Sequence, residues 1–157
     1  MLRPLSEMHT ALEEAEEQVL TAAHAMLPLV SATMHALFPT GAFLVLHGAA
    51  GLSDYEELTL NSVRDTTGEV LWSGAHWDGC ELFPGALPAE LAALWGESTA
   101  EDPTDPGALL WLLRRIDFLA PYDHLPELPG DLRHEGEAEE PLRFIPVAPA
   151  PPAGETA

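Results

Sequence analysis

Apolar residues open the chain in a helical rhythm. Leu5, Met8, Leu12, Ala15, Val19, Ala22, Met26 and Leu29 return at alternating steps of three and four, which places them on one stripe of a helix. Glu13, Glu14, Glu17 and Thr21 fall on the opposite side. The spacing predicts a helix from Leu5 to about Leu37. Pro28, which lacks a backbone donor, should kink or break it, and Pro39-Thr40-Gly41 should end it. Thr10 and Glu13 have capping-box spacing, which allows a second start near residue 10. The stripe also has heptad spacing. Its flanks carry His9, Glu16, Gln18 and alanines, not the opposite charges that set a coiled-coil partner. The expectation is therefore that this helix packs on the protein's own sheet, with Ala15 and Ala22 allowing close approach.

The rhythm then changes. Ala42 to Leu46 is a continuous apolar run, suited to a strand buried on both faces. Glu56 to Val63 alternates, with Leu58 and Leu60 opposed to Thr59 and Asn61, and Glu69 to Ser73 follows with Val70 and Trp72. Between the last two lies Asp65-Thr66-Thr67-Gly68. Asp suits the first turn position and Gly the left-handed conformation that closes a bulged hairpin.

Two shorter helices are expected next. Pro88 to Trp95 ends at Gly96, and a second helix is capped by Asp105-Pro106 and runs to about Leu119. Leu109, Leu112, Leu113 and Ile116 form its core face, while Trp111 and Phe118 form a second apolar patch beside Arg114 and Arg115. Beyond Tyr122 proline is frequent, and acids fill Glu135 to Glu140. Such a segment is expected to bury little, apart from a short edge strand at Leu142 to Ile145. The fold class expected is α+β: an N-terminal helix, a three-stranded antiparallel meander and C-terminal helices packed on one sheet face. Residues 1–145 make a single domain and 146–157 a disordered Pro/Ala-rich tail.

Composition changes this picture in one respect. The 157 residues carry a net charge of -20, because only six bases, all arginine, face 26 acids. The Ala-, Pro- and Gly-rich composition, with arginine and no lysine as its base, fits a GC-rich bacterial genome. Nucleic-acid binding runs on cations that neutralise phosphates, and an anionic membrane surface also calls for cations, so both are excluded as partners. A basic protein partner is attracted. The acidity also serves solubility alone. Val19 to Ser53 holds no charged side chain except histidine, but Pro28, Pro39, Gly41 and Gly48 interrupt it, so a buried helix leading to a buried strand explains it better than a membrane span. The single Cys80 allows no internal disulfide, and a reducing, cytoplasmic setting follows.

Candidate chemistry is sparse. His76, Asp78 and Cys80 are zinc-ligand types, and in an extended strand they would share a face. Structural zinc takes four ligands, so the trio is a weak candidate, better read as a turn at Asp78-Gly79, a small buried thiol and a surface histidine. His47-Gly48-Ala49-Ala50-Gly51 has no nucleophile elbow to serve and no lysine to cradle phosphate; it reads as a loop. Asp123-His124 read as surface groups in a Pro-rich turn, and Pro146-Val147-Ala148-Pro149 as a spacer. No cofactor motif occurs. The function expected is a non-enzymatic acidic protein-binding module, in a concrete version an immunity or inhibitor protein for a basic partner, with Trp111, Arg115 and Phe118 as partner-binding residues. The alternatives are a small-ligand or metal-dependent enzyme built on His47, His76, Asp78 and Cys80, and a structural subunit of a larger assembly. The first helix is the candidate homo-oligomer contact.

Overall fold

The computed structural model describes residues 2–47, 58–76, 78, 81–96, 103–119, 125–134 and 142–149, without the side chains of 76 and 117–119. Helix α1 (Leu5–Ala25) leads through Met26 into α2 (Leu27–Leu37). The break falls where Pro28 requires it, in the first turn of α2, where a missing N–H costs nothing. Thr10 does not start a helix: its hydroxyl donates to the Ser6 carbonyl at 3.0 Å, inside α1. Strands β1 (Phe43–His47), β2 (Thr59–Arg64) and β3 (Val70–Ser73) follow, then a 3-10 turn (Gly74–His76), α3 (Ala89–Trp95), α4 (Pro106–Leu119), a second 3-10 turn (Gly130–Leu132) and β4 (Leu142–Pro146).

The class is α+β, with one antiparallel sheet. The sheet has four strands in the order β3-β2-β1-β4, so the expected three-stranded meander is extended by β4 alongside β1. Pro146 closes β4 and Val147 is buried, its N–H donating to the Ala42 carbonyl at 2.9 Å. The ordered chain therefore passes residue 145, where the tail was expected to begin. The turn of the β2–β3 hairpin forms as its sequence requires. Gly68 has φ 88°, and Asp65 Oδ1 accepts hydrogen bonds from Thr67 N at 2.8 Å, Thr67 Oγ1 at 2.6 Å and Glu69 N at 3.0 Å. Those donors, the Thr67 hydroxyl first, hold the Asp65 carboxyl below its ordinary value.

Central β1 is covered on both faces, as its unbroken apolar run predicts. Leu44 and Leu46 enter the main core with Val30, Met34 and Leu37 of α2 and Leu109, Leu113 and Ile116 of α4. Val45 points the other way, into a smaller core with Leu128 and Leu142. The helical layer thus holds α2, the second half of the expected N-terminal helix, together with α4. Trp95 pins α3 to it, donating from Nε1 to Thr33 Oγ1 at 2.8 Å, and Thr33 passes the bond on to the Leu29 carbonyl at 2.7 Å.

Two expectations are corrected. The Pro-rich stretch after Tyr122 does bury apolar surface: Leu125 and Leu128 are buried, and its backbone pairs with β4 through Leu128 N to the Leu142 carbonyl and Phe144 N to the Pro126 carbonyl. Leu128 and Leu132 cover the second sheet face, and Leu125 joins the main core. And α1 does not pack on the sheet. It meets α2 and α4 near its C-terminal end, and Ala23 is its one buried residue.

Candidate docking groove

Because α1 meets the body only at its end, its apolar stripe stays in solvent. Leu5 is 65% exposed, Met8 46%, Leu12 57% and Val19 39%, with Ala15 and Ala22 exposed between them. Large apolar side chains aligned in this way are uncommon on a monomer surface unless something covers them.

The stripe runs into a groove of about 420 Å³ where α1, α2, α3 and α4 meet. Val19, Ala22 and Met26 form one wall, Leu94 and Trp95 the end, and Trp111, Leu112 and Arg115 the other wall. Of these, Leu94 is 68% exposed and Trp111 53%. The periodicity of α4 explains the arrangement. Leu109, Leu113 and Ile116 take the core face, which turns Trp111 and Arg115 outward on the neighbouring face. The Arg115 guanidinium lies 5.7 Å from the Trp111 ring centroid, so the one charge in the groove wall is stacked on an aromatic face. The neighbouring Arg114 turns inward and donates from Nε to the Leu58 carbonyl at 2.8 Å, tying α4 to the start of β2. Such a groove can hold an apolar side chain or helix edge.

Trp111 and Arg115, two of the residues singled out in the sequence, lie side by side on α4. Phe118 lies in α4, but its side chain is outside the described residues. Leu94, Met26 and Val19 were not foreseen as groove walls; Leu94 falls in a short helix with no apolar stripe of its own.

The metal candidates fare differently. The chain leaves the extended conformation after Ser73 and turns through Gly74–His76, so the backbone of His76 lies in a 3-10 turn. Asp78 is exposed, while Cys80 and the side chain of His76 lie outside the described residues. Among the described residues no cluster of three metal-ligand types occurs. Asp123-His124 and the loop 48–57 also fall outside them.

A second cavity, about 470 Å³, opens on the other sheet face between His47, Asn61, Ser73 and His134. Its floor is Arg64, 1% exposed, which donates to Ser62 Oγ at 2.8 Å, Asn61 Oδ1 at 3.1 Å and the Leu132 carbonyl at 2.9 Å. These bonds make Arg64 a strut between the sheet and the 3-10 turn, since a buried guanidinium is tolerated only when its donors are used. His134 Nε2 lies 3.0 Å from the Gly68 carbonyl and closes the same seam.

Comparison with family models, curated proteins and solved structures finds no match to this chain.

Proposed function

We propose that this protein is a non-enzymatic protein-binding module whose docking site is the groove between α1, α3 and α4. The observation that carries the reading is the exposed apolar wall of that groove, with Trp111 at 53% and Leu94 at 68% exposure, in a chain of net charge -20. Aromatic anchors in a concave apolar site supply most of the energy of a protein interface. The surrounding acidity speeds encounter with a basic partner and disfavours acidic ones. Trp111 is the anchor and Arg115 holds its ring; Phe118 follows seven residues on in the same helix. Nucleic acid and anionic membrane remain poor partners on charge grounds. One window within Leu5–Leu37 is long and apolar enough to cross a membrane, with mean hydropathy 1.2 and 28% of it buried; Val30 and Met34 of α2 sit in the core. An immunity or inhibitor protein in a reducing cytoplasm is the concrete form of the proposal. The exposed stripe of α1 favours a second role, as a subunit of an assembly.

The test is affinity capture from a cell lysate with the full chain and with Trp111→Ala, washed at low and then high salt. The expected result is a stoichiometric basic protein that elutes with salt and is not retained by Trp111→Ala, whose circular dichroism matches the parent. Capture indifferent to Trp111→Ala, or no partner at either salt, contradicts the proposal.

A further inference from the structure

The stripe of α1 shares Val19 and Ala22 with the groove and runs on from it toward the N-terminus, and its own pattern says what fits it. In heptad terms Leu5, Leu12 and Val19 occupy one seam position, and Met8, Ala15 and Ala22 the other. When two such helices run antiparallel, the first kind of position on one faces the second kind on the other. Leu5 then meets Ala22 of the second copy, Leu12 meets its Ala15, and Met8 meets its Val19. Every bulky side chain is opposed by a smaller one or by a flexible methionine, the alternation that fills a helix interface without voids. A parallel pair would set Ala15 against Ala15 and Ala22 against Ala22 and leave gaps. This antiparallel register uses all six exposed seam positions and no residue of α2.

The flanks of the seam disfavour a basic helix or a lipid surface as the occupant. The seam is flanked by His9, Ala11, Glu16, Gln18, Ala23 and Ala25, and the antiparallel register brings His9 beside Glu16 of the second copy. Glu7, Glu13, Glu14 and Glu17 point away from it. A basic helix would find a single flanking acid to pair with, whereas a lipid surface needs Lys or Arg on the polar face, which here is acidic. Stable interfaces bury roughly 1,200–2,000 Å² in total. A helix contact about 27 Å long approaches that only if its ends are filled too, and here the first turn of each α1 reaches Ala22 at the rim of the other copy's groove.

We infer that the occupant of the α1 stripe is a second copy of this chain, forming a two-fold antiparallel α1–α1 pair that places the N-terminal turn of one copy at the rim of the other's docking groove. The inference rests on the reading of the groove as a docking site and adds to it a second chain at its edge. Each copy carries -20, so the pair works against net repulsion. Its salt dependence is therefore opposite to that of a complex with a basic partner: screening strengthens the pair and weakens the complex.

The test is sedimentation velocity on the full chain from about 1 to about 200 µM, at about 50 and about 500 mM NaCl. The expected result is a monomer–dimer equilibrium whose dissociation constant falls about threefold or more at the higher salt. Leu12→Glu, which buries a charge in the pair but leaves it in solvent in the monomer, should raise that constant about 100-fold or more with unchanged circular dichroism. In a Cys80→Ser background, Leu12→Cys mixed with Ala15→Cys should cross-link faster than either alone. A monomer at every concentration and salt overturns the inference, and so does a dimer indifferent to Leu12→Glu. Faster cross-linking of Leu12→Cys with itself overturns the antiparallel arrangement. The groove reading stands or falls separately, on capture of the basic partner by Trp111→Ala, since Trp111 is not a seam residue.

Discussion

Helices α1 and α2 are read from one continuous pattern, yet they end in opposite environments. α2 buries Val30, Ala32, Thr33, Met34 and Leu37, whereas α1, nearly twice as long, buries only Ala23. The difference lies in geometry. A sheet built from strands of four to six residues spans about 13–20 Å along them. A 21-residue α1 is about 32 Å long, so it overruns a sheet this short, whose face α2 and α4 already cover. Periodicity shows that a face is apolar. Whether the protein's own core covers it depends on how much core there is.

The comparison is broken most forcefully by truncating one side chain in each region. Leu44→Ala or Leu113→Ala, both fully buried, should lose about 2–5 kcal/mol of unfolding free energy in urea. Leu12→Ala, in the exposed part of α1, should lose under about 0.5 kcal/mol when measured at a concentration where the chain is monomeric. A cost for Leu12→Ala like that of Leu44→Ala would mean that α1 packs on the body after all.

A smaller effect is expected where α3 is pinned to the buried helix. Thr33→Val keeps the volume but leaves Trp95 Nε1 without the acceptor it has at 2.8 Å. About 1–2 kcal/mol should be lost in urea, with a shift in tryptophan emission as α3 loosens. An unchanged midpoint would show that α3 is held by apolar contact alone.

The smallest effect concerns the β2–β3 turn. The Asp65 carboxyl is held below its ordinary value, chiefly by the Thr67 hydroxyl, so it is bound more favourably when ionised. That contribution is present above the usual carboxylate range and is lost as pH falls through the lowered folded value. Asp65→Asn should therefore melt a few degrees lower than the parent at neutral pH, with the gap closing in acid. A gap that persists unchanged into acid would assign the loss to turn geometry and not to the charge.

How much of this was legible in the sequence varies with the range of the interaction involved. The Asp65–Gly68 turn, the Asp105 cap, with Gly107 N donating to Asp105 Oδ1 at 2.9 Å, and the core face of α4 are local, and the chain states them plainly. Trp111 and Phe118 read from the sequence as a second apolar patch of α4 that could equally be core, and the opposite wall of the groove at Trp111 comes from α1 and α3, distant in sequence. Arg64 shows the same limit from the other side. It follows an alternating strand whose polar positions read as solvent-facing, yet it is buried because Leu128 and Leu132 cross that face from a Pro-rich segment with little local order to announce it. The strand-to-turn change after Ser73 has a local mark that alternation alone does not reveal: a Cβ at Gly74 would collide with the Leu60 carbonyl, so the chain passes β2 only because that residue is glycine.

The central claim is that the exposed face of α1 is an interface, and backbone amide hydrogen exchange along α1 tests it most directly. Exchange is compared at about 1 and about 200 µM of the full chain at high salt. The expected result is fast exchange from Met8 to Val19 in dilute protein and strong protection at the higher concentration, with α2 protected in both. Equal exchange of α1 at the two concentrations would contradict it.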